Sequence, residues 1–429
     1  MVKKNPPPDW LKLDNAAKIY PAAKTRSWTA VFRLSITLDE NIRPDLLQEA
    51  LNKTLVRVPF FNYRLRRGFF WYYLDKQNNI PSVQPDVRNP CNRMLRKSEE
   101  HSLFRIRYYE KRIALEVFHS LADGTGAMSF LATLVAEYLR LSKHIYIPPC
   151  GFVLDTKQAP LKEEWEDSFS KYAREGARSR SEEKAYSIKG TPLFPGHITL
   201  TTGIVDTQEL KRKANSLGCG INVFLSALLL QAILLHQEQH AKGAQKKLPV
   251  RISIPQNLRK YYPVKTLRNF SSYYNVGLNA SYGDFTLEDI IHLLLHTAKI
   301  ENMEPMINAR MSSNVKAEQN RLLRLIPLFM KSPFLKLMYT LFGERYFSMA
   351  LSNLGDVKLP EAMRRHVKRI DFILGPARYN AMSLGVISTN GVTTCNFSST
   401  IHETDIQRSF FRGLVKNGIH VKVESNRRE

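Results

Sequence analysis

The sequence predicts an α+β protein, a mixed α/β sandwich divided into two lobes. Three observations lead there. At 429 residues the chain exceeds the roughly 250 to 300 residues at which one hydrophobic core stops growing. Strand-like and helix-like runs are interleaved in both halves, as mixed architectures require. Between the halves lies a polar, mixed-charge stretch, KEEWEDSFSKYAREGARSRSEEKAYSIK. A first lobe is therefore expected over residues 1–160, a partly helical, exposed connection over 161–189, and a second lobe over 190–429.

In the first lobe, Ala30 to Leu38 (AVFRLSITL) alternates apolar and polar positions, the pattern of a half-buried strand. RPDLLQEALNKTLVRVP follows, with Leu46, Leu47, Ala50, Leu51, Leu55 and Val56 at helical spacing, and Pro59 ends that helix. GFFWYYL reads as a strand, and LFRIRYYE with RIALEVFH as a hairpin pair. Met128, Leu131, Leu134, Val135, Tyr138 and Leu139 then form an apolar helical stripe.

In the second lobe, HITLTTGIV reads as a strand leading into a helix that starts at Asp206 and stops at Gly218. Asn222 to His236 is apolar nearly all round, which predicts a buried helix. PVRISIP reads as a strand, ARYNAMSLGVISTNGVTTCNFSST as two strands joined at Asn390-Gly391, and Asp405 to Lys416 as a last helix.

The formal charge of +24 favours anionic partners. A pI of 9.8 fits nucleic acid, but no nucleic-acid motif accompanies it, and no such partner is expected. Cys91, Cys150, Cys219 and Cys395 are widely spaced, so neither a zinc ribbon nor a dense disulfide framework is expected, and a reducing intracellular setting follows. The start, MVKKNPPPDW, has lysines without an apolar segment behind them and shows no signal peptide. The run Ile326 to Leu351 is broken by charges, glycine and proline and falls short of a spanning helix.

One short stretch concentrates chemistry: EVFHSLADGTGAM, Glu116 to Met128. His119 and Asp123 stand four apart at a strand-to-helix junction. A shared metal on one helix face would need a third ligand nearby, and Gly124 and Gly126 weaken a helix there. Two readings stand on the residues: a loop histidine followed by an aspartate helix cap, or a general base with an orienting carboxylate. Histidine accepts a proton near neutral pH, which a hydroxyl or amine must lose when it attacks an acyl carbon.

The segment His119-Ser-Leu-Ala-Asp123-Gly124 resembles the HxxxDG motif of the acyltransferase superfamily that includes chloramphenicol acetyltransferase, nonribosomal condensation domains and alcohol acetyltransferase-like proteins. VRVPFFNYRLRRGFFWYYL resembles that family's opening region. IPQNLRKYYPVKTLRNF resembles the segment supplying an arginine to the motif aspartate, and Ser352-Asn353-Leu354-Gly355 a crossover beside the catalytic channel. The nearest likeness is to bacterial alcohol acetyltransferase-like proteins, over about Trp10 to Leu414.

The resemblance implies two similarly folded lobes with a tunnel between them, donor and acceptor entering from opposite ends. It implies acyl-coenzyme A or an acyl carrier protein as co-substrate, no permanently bound cofactor, and no metal. The acceptor would be a small alcohol, an amine or a lipid. His119 matches the catalytic base, Asp123 and Gly124 the rest of the motif, and Arg259, then Arg268, the partner of Asp123. Asn353 either hydrogen-bonds substrate or an oxyanion, or forms a turn before glycine. Phe118 stands where many members have a first histidine, and IDFILGPARYN replaces a late DFGWG signature; these departures bear on channel and substrate rather than on the base.

The cluster Arg364, Arg365, His366, Lys368 and Arg369 is either a solvated face or a contact for coenzyme A phosphates or an acidic carrier protein. RLLRLIPLFMKSPFLKLMYTLF interleaves basic and apolar residues; a buried lobe helix is expected, with contact to an anionic membrane surface or a lipid channel as the alternative. A cytoplasmic monomer, peripheral to the membrane if that alternative holds, completes the expectation. A noncatalytic acyl-carrier or lipid-binding protein on the same fold, and a stand-alone amide-forming condensation enzyme, are the competing functions.

Overall fold

The computed structural model describes residues 7–23, 28–94, 102–174, 182–319, 325–331, 333, 344–377 and 379–427. Seven strands precede the motif helix: β1 (Trp10–Lys12), β2 (Val31–Leu38), β3 (Tyr63–Arg67), β4 (Tyr72–Lys76), β5 (Gln84–Pro85), β6 (Phe104–Tyr109) and β7 (Arg112–Phe118). Three helices belong with them: α1 (Ile19–Ala23), α2 (Pro44–Arg57) and α3 (Gly124–Lys143). Further strands follow: β8 (Thr199–Asp206), β9 (Val250–Asn257), β10 (Ser271–Leu278), β11 (Met349–Asp356), β12 (Val367–Leu374), β13 (Met382–Thr389), β14 (Val392–Ser399) and β15 (Lys422–Ser425). Their helices are α4 (Phe169–Tyr172), α5 (Thr207–Ser216), α6 (Ile221–His240), α7 (Leu287–Glu301), α8 (Glu304–Gln319), α9 (Glu361–Arg364) and α10 (Asp405–Lys416).

Two sheets dominate. One has the order β12-β2-β7-β6-β5 and the other β10-β9-β11-β13-β14-β8-β15, with a small β1-β4-β3 sheet beside the first. On β2 the side chains of Phe32, Leu34 and Ile36 point to one face and Arg33 and Ser35 to the other, all of them buried. The apolar face meets α2 and α3 in one core. The second sheet packs on α5, α6, α7 and α10. Helix α6 is long and apolar enough to cross a membrane by composition, but here it is the core helix of this lobe, touching α5, α7, α10 and β9.

Most expected elements are present. The last helix has the expected bounds, Asp206 caps α5 by accepting from the amides of Gln208 and Glu209, and Asn390 and Gly391 both take positive φ (50° and 79°) in the hairpin turn. Two expectations need correction, and a third lies mostly outside the described residues. GFFWYYL is not one strand: the Gly68 amide donates to the Trp71 carbonyl (2.9 Å) and turns the chain, so β3 and β4 form a hairpin with Phe69 and Phe70 exposed at its tip. The connection is not simply exposed: Glu164 is buried and takes two bonds from Arg57 of α2 (2.7 and 2.6 Å), while Trp165 and Phe169 are also buried. Of the basic and apolar run 321–342, only 325–331 and 333 lie within the described residues; Leu328 there donates its amide to the Phe69 carbonyl (2.7 Å).

Strand β12 has no counterpart in the expected division at 160 and 190. It leaves the second half of the chain and pairs antiparallel with β2, from Val367 opposite Leu38 to Leu374 opposite Phe32. The first sheet is thus completed by residues from late in the sequence.

Candidate active site

His119 is the residue after β7, fixed by its amide donating to the Ala30 carbonyl (2.9 Å) at the start of β2. Asp123 sits four residues on with extended backbone (φ −86°, ψ 178°) and caps α3, its Oδ1 accepting from the Gly126 amide (3.0 Å). Its other oxygen, Oδ2, accepts from Arg259 Nη1 (2.7 Å) and from the Phe270 amide (2.9 Å). The capping reading and the ion-pair reading are therefore both true, one for each oxygen. Arg259 is held in turn by the carbonyls of Thr266 (2.8 Å) and Arg268 (2.5 Å). A buried carboxylate without such a partner would be costly, and this pair ties the motif loop to the segment after β9.

Arg268 does not share Asp123. It reaches the Lys12 carbonyl (2.7 Å) and the carboxylate of Asp14 (3.4 Å), both at the amino-terminal end. The two arginines nine residues apart thus serve two different aspartates, which their spacing in the sequence cannot distinguish.

The ring of His119 lies between Tyr20 of α1, stacked at 4.6 Å, and the edge of Phe32, at 5.1 Å. Its Nδ1 is 3.0 Å from Asn269 Oδ1. Asn269 Nδ2 donates to Asp14 Oδ2 (3.1 Å), and Asp14 Oδ1 accepts from the Ala17 amide (2.8 Å). With its amine turned to Asp14, Asn269 offers His119 only a carbonyl oxygen, so Nδ1 carries the proton and donates. That tautomer places the lone pair on Nε2.

Burial lowers the His119 pKa below its ordinary 6.5, with its own backbone carbonyl, Asp123 and Asn269 acting in the opposite sense. The ring is accordingly neutral at neutral pH. Burial pushes Asp14 above the usual carboxylate value against the pull of Arg268, Asn269 and the Ala17 amide. Asp167, on the connection, is pushed up to about 6, first by burial and then by Asp14.

The glycines of the motif have steric reasons. A Cβ on Gly126 would lie 1.8 Å from the Leu267 carbonyl oxygen, and one on Gly124 2.9 Å from Leu354 Cδ2. The start of α3 is thus pressed against two segments of the second lobe. Asn353 has the turn-forming role: its Oδ1 accepts from the Gly355 amide (2.8 Å) where Gly355 takes φ +78°, and its Nδ2 donates to Asn222 (3.2 Å). Neighbouring Leu354, not Asn353, supplies the contact to the motif.

The basic cluster is not brought to this site. Val31 pairs with Phe118, next to His119, whereas Val367 pairs with Leu38 at the opposite end of β2; eight residues of strand put roughly 23 Å between them. Arg364 and Arg365 pair with Glu361, His366 with Asp39 (2.9 Å), and Lys368 is exposed. Arg369 bridges Asp371 (3.1 Å) and Glu424 (2.7 Å). Conversely, Asp14, Tyr20 and Asn269 escaped the sequence reading, and Gly126 was read only as weakening a helix. Asn269 follows Arg268 in a segment already singled out, while nothing about Asp14 or Tyr20 in sequence points 100 residues ahead.

The fold is the two-lobed, chloramphenicol acetyltransferase-like one that solved acetyltransferases and condensation domains share. Among solved structures the chain is similar to TRI101 of F. graminearum complexed with coenzyme A and deoxynivalenol (TM-score 0.64, 9% identity, 97% of this chain and 100% of that one). It is likewise similar to TRI3 trichothecene 15-O-acetyltransferase of Fusarium sporotrichioides (TM-score 0.60, 11% identity, 95% and 94%). A third is the starter condensation domain of rhizomide synthetase with C8-CoA and Leu-SNAC (TM-score 0.58, 13% identity, 94% and 93%). No family model and no curated protein sequence matches.

Proposed function

We propose that the chain is an acyltransferase that moves an acyl group from a coenzyme A or carrier-protein thioester to an alcohol or amine. The observation that carries this reading is the orientation of His119, whose Nδ1 is engaged by Asn269 so that Nε2 is the basic atom. The acetyltransferase and condensation-domain fold supports it, and the O-acetyltransferase among the similar structures favours an alcohol acceptor.

In this mechanism Nε2 takes the proton of the acceptor O–H or N–H as the acceptor oxygen or nitrogen bonds to the thioester carbonyl carbon. The carbonyl electrons move to oxygen, giving a tetrahedral oxyanion. Its collapse breaks the C–S bond, and the imidazolium returns its proton to the departing thiolate. Asp123 and Arg259 hold the loop and do not meet substrate; Asn269 and Asp14 fix the tautomer.

Removing such a base costs about 10² to 10⁴ in rate. With acetyl- and octanoyl-coenzyme A as donors and a panel of alcohols and amines as acceptors, thiol release is expected from the unaltered protein and a loss of that size from His119→Ala. Equal turnover in the variant would reject His119 as base. Thioester binding without consumption would instead favour the noncatalytic reading, and consumption with amines alone the amide-forming one.

A further inference from the structure

A second cavity lies away from His119, on the polar face of the first sheet. It measures about 400 Å³, within the range of small-ligand sites. Its floor carries Arg33 and Ser35 of β2, Arg112 of β7, and Arg369 and Asp371 of β12; Thr202 of β8 and Asn396 of β14 roof it from the second sheet. Arg88 stands at its edge, exposed.

Arginines outnumber carboxyls among the side chains that line it, and they are held to different degrees. Arg33 is locked by both oxygens of Asp86 (2.8 and 2.5 Å) and by Glu116 (3.4 Å). Arg112 gives only Nη2 to Asp86 (3.0 Å), and its Nε is buried with no partner among the described residues. Asp371 accepts from Arg369 with Oδ2 (3.1 Å), while its Oδ1 is buried and likewise unpartnered. Unmade hydrogen bonds at buried polar atoms are expensive and call for an explanation.

We propose that this cavity binds a phosphate-type oxyanion, seated between the two sheets and accepting from Arg112. Four arginines, Arg33, Arg88, Arg112 and Arg369, line it with the carboxyls Asp86 and Asp371; Glu116 and Glu424, outside the lining, pair with Arg33 and Arg369, which leaves Arg88 and Arg112 as the cations with most to give. Burial pushes the Asp371 carboxyl up, against the charges of Arg369 and Arg112. A cation would meet the arginines first, and an apolar ligand would cover their charge without a counterion. The oxyanion can be free phosphate or the phosphate of a larger nucleotide. The site stands independently of the acyl-transfer reading, since it uses no residue of the His119 network.

Calorimetric titration with inorganic pyrophosphate and with adenosine 3′,5′-bisphosphate separates these sources. Saturable binding is expected at about 1 mM or tighter in the unaltered protein, weakened at least ~10-fold in Arg112→Gln and measurably in Arg88→Ala. Because Arg88 is exposed, its variant keeps the test valid if Arg112→Gln fails to fold. Binding of both probes supports a site for free oxyanions; binding of the nucleotide alone supports a phosphate carried on a larger ligand. No saturable binding of either at ~10 mM, or equal affinity in the folded variants, overturns the proposal.

Discussion

On the proposed acyl-transfer reading, with His119 as base, Asn269 is a positioning residue. It touches the base through Oδ1 and a buried carboxylate through Nδ2, so its amide can face only one way, and that choice fixes which imidazole nitrogen is basic. Asn269→Ala frees the ring between Tyr20 and Phe32, and a misplacement of about 1 Å can cost ~10² in rate. The expected result is kcat lowered by about 10- to 100-fold with KM little changed. Asn269→Asp puts an anion on Nδ1 and should raise the pKa of the acidic limb of kcat/KM by about one unit, a movement that loss of packing alone does not produce. An unshifted limb in a folded Asn269→Asp enzyme would deny the contact. His119 and Asp123 were legible as a candidate pair because both fall within five residues of sequence. The histidine's own partners were not, because contacts across 99 positions to Tyr20 and 150 to Asn269 leave no local pattern.

At the scale of elements, the strand β7, the turn and α3 form a single unit pressed onto the loop that precedes β10. Gly126 allows that approach, and its missing side chain is filled by the backbone of Leu267. Gly126→Ala forces the two lobes apart locally; overpacking of this kind costs about 1 to 3 kcal/mol. Urea denaturation should show a loss in that range together with lower activity, and a variant as stable and active as the parent would mean the approach is not needed. Strands and helices with strong periodicity were readable one by one. The hairpin of β3 and β4 was not, because GFFWYYL is aromatic throughout and the turn depends on a bond from Gly68 to Trp71, while the aromatic tip hides the usual polar turn signal.

Across the whole molecule, ion pairs buried on the polar face of the first sheet make stability depend on acidity. Asp86 is held down to about 2; burial opposes this, while the hydrogen bonds and charge of Arg33 and the charge of Arg112 produce it. A depressed carboxylate contributes stability that is present above its unfolded value of 3.8 and is lost as pH falls through about 2. The difference corresponds to ~2 kcal/mol. Between pH 5 and pH 2 the unaltered protein should therefore lose ~2 kcal/mol more than Asp86→Asn when unfolding is followed in urea; parallel slopes would show that Asp86 is not so linked. The two-lobe plan was visible in the sequence from length and the charged connection. The exchange of β12 between halves was not, since nothing in VKRIDFIL says which sheet it joins.

That exchange has a consequence for how the chain is made. Strand β2 is an interior strand of its sheet, yet its neighbour on one side, β12, is synthesised more than 300 residues later. At about 5 to 20 residues per second a nascent first lobe waits on the order of tens of seconds with a long, mostly apolar strand edge open. Such an edge invites pairing with other chains, so emergence from the ribosome is the stage at which this protein most needs a chaperone.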